Sequence, residues 1–254
     1  MNIAIILAGG IGSRLGATDS NGAHIPKQFV EVLGKPVLVY TIEAFENHPD
    51  IDAIAVVCVE SHMNYLKDLT TTYGLNKVKW IVKGGATFQE SVMNGVTYLE
   101  DKITDKDIVL VHFGASPFIG DEIISDAIRV CSEKGNAIST TDFYVLSGIK
   151  QKTSSVMDET NASSEYIDRD TIACMSSPHA FRYDFINTLY KEAVETGVIN
   201  EVEPHTTTLM YKMGKTIYFS KGSQTNIKIT QKEDLDLFEG YLLMKEKHKN
   251  DGHV

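Results

Sequence analysis

Ile3-Ala-Ile-Ile-Leu7, running straight into Ala8-Gly9-Gly10-Ile11-Gly12-Ser13-Arg14-Leu15-Gly16, is the stretch that decides the fold. Its first residues are short-range and wholly apolar, as in a strand buried on both faces of a parallel sheet. The chain then breaks into glycines. Lacking a Cβ, they let backbone N–H groups approach a ligand closely. Arg14 adds a fixed cation whose five-donor fork suits phosphate oxygens. Beyond a polar insertion, Pro26-Lys27-Gln28-Phe29 brings a second cation on a stiff, proline-led segment. Glycine turn, arginine and lysine together read as a polyphosphate site.

Spacing separates this turn from two common alternatives. A Gly-x-x-x-x-Gly-Lys-Ser/Thr loop does not occur. The dinucleotide fingerprint needs a third glycine three residues after Gly12, and Leu15 stands there.

Outward from the turn, strand-like and helix-like stretches alternate. Val37–Phe45 has helical apolar spacing with Pro36 at its entry, and Ile51–Val59 is a second buried-type strand. His62–Tyr73 reads as a helix closed by Gly74, and Val78–Val82 as a strand ending in Gly84-Gly85. Glu90–Leu99 is the next helix, Asp107–His112 a strand, and Asp121–Glu133 a helix stopped by Gly135. This rhythm predicts an α/β fold with a doubly wound, mostly parallel sheet. The rhythm breaks near Asn136. Short β-like pieces follow at Tyr144–Leu146, Ser154–Met157 and Tyr166–Asp168. Helix Tyr183–Thr196, strand Thr216–Ser220 and helix Lys232–Lys245 then complete the chain. With no linker visible, residues 1–254 read as one domain.

Composition narrows the function. The chain has 254 residues, 43% hydrophobic and 23% charged, ample for one α/β core. A net charge of −10 argues against nucleic-acid or anionic-membrane partners, which need a basic face. Cys58, Cys131 and Cys174 are widely spaced and read as reduced thiols in or near the core. Ile3–Leu7 is too short for a signal or a membrane span, and a cytoplasmic setting is expected. His112, His179 and His205 have no ligand-like spacing and read as packing or hydrogen-bonding groups.

Leu7-Ala-Gly-Gly-Ile-Gly-Ser-Arg14 with Pro26-Lys-Gln-Phe29 resembles the nucleotide loop of the sugar-nucleotide transferase superfamily. More narrowly, it resembles the cytidylyltransferases that make CDP-methylerythritol or CDP-ribitol. Matching segments are scattered to the C-terminus. The resemblance implies a Rossmann-like nucleotidyltransferase fold with a small antiparallel β-arm, within 137–175, that pairs two subunits. It implies that CMP passes from CTP to a polyol phosphate, ribitol 5-phosphate or 2-C-methylerythritol 4-phosphate in class, releasing pyrophosphate. Magnesium is the implied cofactor. Arg14 and Lys27 would hold the triphosphate beside Ala8, Gly9, Gly10, Gly12 and Ser13, and such transfers run mainly on positioning and charge stabilisation.

Gly84-Gly85-Ala-Thr-Phe88-Gln-Glu-Ser91 resembles the family's nucleoside-holding segment, giving that role to Gly85 and Ser91. Ser91 reads equally well as a helix N-cap. Gly222-Ser-Gln-Thr-Asn226-Ile-Lys228-Ile-Thr230 matches closely, and assigns Lys228 and Thr230, with Ser177, to the acceptor. Several positions depart from the family, among them Ser176-Ser177-Pro178-His179, where it reads Gln-Thr-Pro-Gln. Phe113 stands where it carries a metal-binding Asp, Ser116 and Phe88 where it carries Arg, and an acceptor arginine near Tyr144 is missing. Asp107 lies at the wrong end of its strand to replace the lost carboxylate, and Asp142 is the remaining carboxylate to place. Two readings therefore stay open: an active cytidylyltransferase, or a family member that binds nucleotide or a partner protein without turnover.

Overall fold

The structure is a computed structural model that describes residues 1–10, 15–18, 22–149 and 163–250, the last two without their side chains. Seven strands form the central sheet: β1 (Asn2–Ala8), β2 (Ala53–Cys58), β3 (Val78–Lys83), β4 (Ile108–Phe113), β5 (Asn136–Asp142), β6 (Ala173–Arg182) and β7 (Phe219–Lys221). Their order is β7-β5-β6-β4-β1-β2-β3. β1 runs parallel to both β2 and β4, and β2 runs parallel to β3. β6 alone is antiparallel, wedged between β4 and β5. The strand-first reading of the N-terminus holds because Ile3, Ile5 and Ile6 are fully buried on alternate faces.

Helices cover both faces. On one, α1 (Val37–Glu46), α2 (Met63–Thr72) and α4 (Asp121–Lys134) place Leu38, Ile42, Phe45, Leu66 and Ile124 against Ala4, Ile6 and Ala8. On the other, α3 (Phe88–Tyr98), α5 (Tyr183–Glu195) and α6 (Thr206–Lys212) bring Val92, Val96, Ile186, Leu189 and Leu209 against Ile3, Ile5 and Val57. α7 (Lys232–Asn250) closes a third cluster, where Phe238 packs with Val37, Phe118 and Ile229. Emptying one such aliphatic core position to alanine costs about 2–5 kcal/mol.

Several stretches differ from the sequence reading, among them the last strand, which spans Phe219–Lys221 and not Thr216–Ser220. α3 begins at Phe88, two residues before the predicted start. Thr87 caps it, and Glu90 reaches back to complete a capping box. β5 and β6 replace the expected loose β pieces. Asn136-Ala-Ile-Ser-Thr-Thr-Asp142 is rich in hydroxyls and so shows no apolar run, yet its first four residues are buried. Tyr144–Leu146 is exposed and is not a strand. Only Tyr166 of the predicted Tyr166–Asp168 piece pairs, in a two-residue ribbon of Glu165–Tyr166 with Gly148–Ile149. Ser154–Met157 lies outside the described residues. α6 was hidden because Thr206-Thr-Thr208 has β-like composition.

Candidate active site

Register decides where the site forms. Leu7 lies opposite both Val57 and Phe113, and Cys58 lies opposite both Ala8 and Lys83. Four parallel strands therefore end at one edge, and the glycine turns after β1 and β3 meet there. A Cβ on Gly84 would lie 3.2 Å from the Cα of Gly9, and one on Gly9 would lie 3.0 Å from Ser91 Oγ. The turns are that close because neither carries a side chain. Ser91 Oγ accepts a hydrogen bond from the Gly85 N–H at 3.1 Å, tying the second turn to the first turn of α3. The cap reading of Ser91 is thereby corrected. Thr87 is the N-cap, and Ser91 lies one helical turn inside, buried between the glycines.

Gln28 fixes the other turn. Its buried amide donates to the carbonyls of Ala8 (2.7 Å) and Gly10 (2.9 Å). The lysine before it is held in turn, with Lys27 Nζ donating to the Ile229 carbonyl at 2.5 Å. Ile229 sits between Lys228 and Thr230, so the Gly222–Thr230 segment is drawn to the glycine edge.

The result is a cavity of about 260 Å³ whose lining includes Gly9, Gly10, Lys27, Gly85, Ser91 and Lys228. Thr230 also borders it, but its hydroxyl donates to Asp234 Oδ2 at 2.9 Å. Burial alone would push the Asp234 carboxyl up. Hydrogen bonds from Thr230 and Gln231, with the charge of Lys27, hold it below the ordinary aspartate value instead.

One wall is aromatic. The rings of Phe88 and Phe113 lie 5.3 Å apart, His205 lies 5.0 Å from Phe88, and Lys228 Nζ sits 3.8 Å above the Phe113 ring. Behind it, His112 and His179 are pushed down to about 4 by burial and are neutral at pH 7. His112 Nε2 donates to the Ser116 carbonyl at 2.9 Å, as a packing histidine does. Burial pushes the Cys58 and Cys131 thiols up to about 12, so both are inert.

The sequence-derived residues divide as follows. Gly9, Gly10, Lys27, Gly85, Ser91, Lys228 and Thr230 share the cavity, with Ala8 directly behind it. Ser177 is not brought to the lining. It is buried in β6, its carbonyl accepts from Asn226 Nδ2 at 2.6 Å, and its hydroxyl finds no partner among the described residues. Gly12, Ser13 and Arg14 lie outside the described residues. Asp142 borders a separate cleft with Tyr144 and Gln224. Gln28, Thr87 and Ala115 also line the cavity, though no sequence motif marks them as site residues. Only the neighbourhood of Gln28 in the lysine motif hinted at its part.

The donor set does not fit a divalent cation held by the protein. Magnesium needs hard oxygen ligands in near-octahedral array, commonly one or two carboxylates. Among the described residues, the lining contains two lysines and no carboxylate. No cluster of three or more His, Cys, Asp or Glu side chains suited to a metal occurs among them. At the end of β4, where a ligand would reach the cavity, Phe113 offers a ring.

A family model described as IspD, 2-C-methyl-D-erythritol 4-phosphate cytidylyltransferase, matches residues 2–244. A ribitol-5-phosphate cytidylyltransferase of Lacticaseibacillus paracasei is 38% identical over 246 residues, covering 97% of this chain and 100% of that protein. A 2-C-methyl-D-erythritol 4-phosphate cytidylyltransferase of Clostridium acetobutylicum is 36% identical over 238 residues, covering 92% and 94%. Among solved structures, the 4-diphosphocytidyl-2C-methyl-D-erythritol synthase of Anaerococcus prevotii shares the fold. Its TM-score is 0.76 at 23% identity, covering 95% of this chain and 96% of that one.

Proposed function

The chain belongs to the IspD cytidylyltransferase family, and from that premise we propose that it transfers CMP from CTP to a polyol phosphate, giving a CDP-polyol and pyrophosphate. Ribitol 5-phosphate and 2-C-methylerythritol 4-phosphate are the acceptor classes, since relatives of similar identity carry both names. The observation that carries the reading is the meeting of two glycine turns with Lys27 and Lys228 around one cavity at the carboxyl edge of the sheet.

In this reading the triphosphate lies along Gly9 and Gly10 beside Lys27, and Arg14 is the second cation that the family resemblance assigns to it. The nucleoside rests by Gly85 and Ser91. Lys228 meets the acceptor phosphate, with Thr230 beside it and Ser177 supporting the segment through Asn226. An acceptor phosphate oxygen attacks the α-phosphorus, the bond to the bridging α–β oxygen breaks, and pyrophosphate leaves. Charge grows on the leaving oxygen, and Lys27, on the cavity lining, is the cation that would meet it. Loss of one such preorganised donor costs about 3–4 kcal/mol of transition-state stabilisation.

The same reading takes a homodimer joined through the arm within 137–175, which the exposure of Tyr144, Leu146 and Tyr166 supports, and a cytoplasmic setting. No described helix is long and apolar enough to cross a membrane. The test is pyrophosphate release from each of the four common nucleoside triphosphates, with each acceptor. CTP-selective release with a polyol phosphate is expected. Release with no acceptor, or with none of them, contradicts the proposal.

A further inference from the structure

We infer that this cavity holds its polyphosphate with protein cations and no protein-held metal, so that nucleotide binding does not require a divalent cation. The inference rests on the reading above that CTP occupies the cavity, and concerns how the phosphates are held.

Three observations converge. First, the charged side chains of the described lining are Lys27 and Lys228. Second, the carboxylates on the bordering segments are committed elsewhere. Glu90 Oε2 accepts from the Ala86 N–H at 2.6 Å and completes the capping box of α3. Asp234 Oδ2 accepts from the Thr230 N–H, the Thr230 hydroxyl and the Gln231 N–H, at 2.7, 2.9 and 2.9 Å. Recruiting either to a metal would break a helix start. Third, Phe113 lines the cavity and holds Lys228 Nζ over its ring at 3.8 Å. A divalent ion seated at that strand end would meet an ammonium group and, among the described lining residues, no carboxylate. The lysine stands where positive charge is wanted, and the ring keeps it there.

The experiment is calorimetric titration of CTP into the full chain, once in excess EDTA and once in excess magnesium. The two dissociation constants are expected to agree within about threefold. Lys27→Gln should weaken both by a similar factor, about tenfold or more. In Phe113→Leu, which keeps the wall apolar and the fold intact, the agreement between the two conditions should persist. Wild-type binding that weakens about tenfold or more in EDTA, and recovers with magnesium, overturns this inference while leaving the functional reading standing. Absence of CTP binding under both conditions overturns the functional reading and this inference with it.

Discussion

Replacing Gln28 by leucine probes how the phosphate-side turn is held. The substitution roughly keeps side-chain volume and removes both amide donors. Gln28 is 2% exposed, and its Nε2 reaches the Ala8 carbonyl at 2.7 Å and the Gly10 carbonyl at 2.9 Å. After the change Ala8 keeps only the longer bond from the Val59 N–H at 3.3 Å. Each lost bond is worth about 1 kcal/mol net, so unfolding free energy should fall by about 2 kcal/mol. If the freed turn must be re-ordered when phosphate binds, the same loss appears in affinity, as a drop of up to about 30-fold. Urea denaturation and CTP calorimetry on the same preparation read both effects. Gln28→Glu should be worse than leucine, because a carboxylate would face two carbonyl oxygens. A leucine variant with unchanged denaturation midpoint and CTP affinity within about twofold would refute the idea that this amide holds the turn.

Other outcomes follow from the same geometry. Lys27→Met should lower turnover about 10²- to 10³-fold with little change in stability, measured by initial rates of pyrophosphate release. Gly85→Ala should weaken CTP binding and cost about 1–3 kcal/mol, since the new Cβ would lie 2.3 Å from Glu90 Cβ and force the capping box apart. Urea midpoints compared with wild type check it. His112 and His179 are held at about 4, below their unfolded value, by burial. The unfolded chain therefore binds more protons between pH 6.5 and about 4, and stability should fall as pH drops through that window. The slope is up to about 1.4 kcal/mol per pH unit for each histidine, read from denaturation at stepped pH; a flat profile there would contradict the assignment.

The order of elements through Gly135 was legible because apolar runs and glycine stops are local signals. Gly135, the predicted stop of α4, takes φ +89° as its left-handed C-cap. The edge itself was legible too, since Lys27 and Lys228 each stand in a matching motif although they are 201 positions apart in the chain. What escaped was set by tertiary contact. β5 is a strand because it lies between β7 and β6, and its Ser and Thr side chains give no apolar signature. Ser91 resembled a cap in sequence, but Thr87 and Glu90 form the box, and that choice depends on where the helix starts. Ser177 carried a hydroxyl at the expected place, yet β6 turns it into the interior, where only its carbonyl meets the acceptor segment through Asn226. Phe113 was visible as a departure. Its effect, seating Lys228 on an aromatic face, needed the fold.

If the glycine edge with Lys27 cradles a nucleoside triphosphate, a crystal structure of the chain with CTP will show it. The β- and γ-phosphates are expected against Gly9 and Gly10 within hydrogen-bonding distance of Lys27 Nζ, and the cytosine beside Gly85. Nucleotide density away from this edge, or phosphates on the far side of the cavity from Lys27, would contradict it.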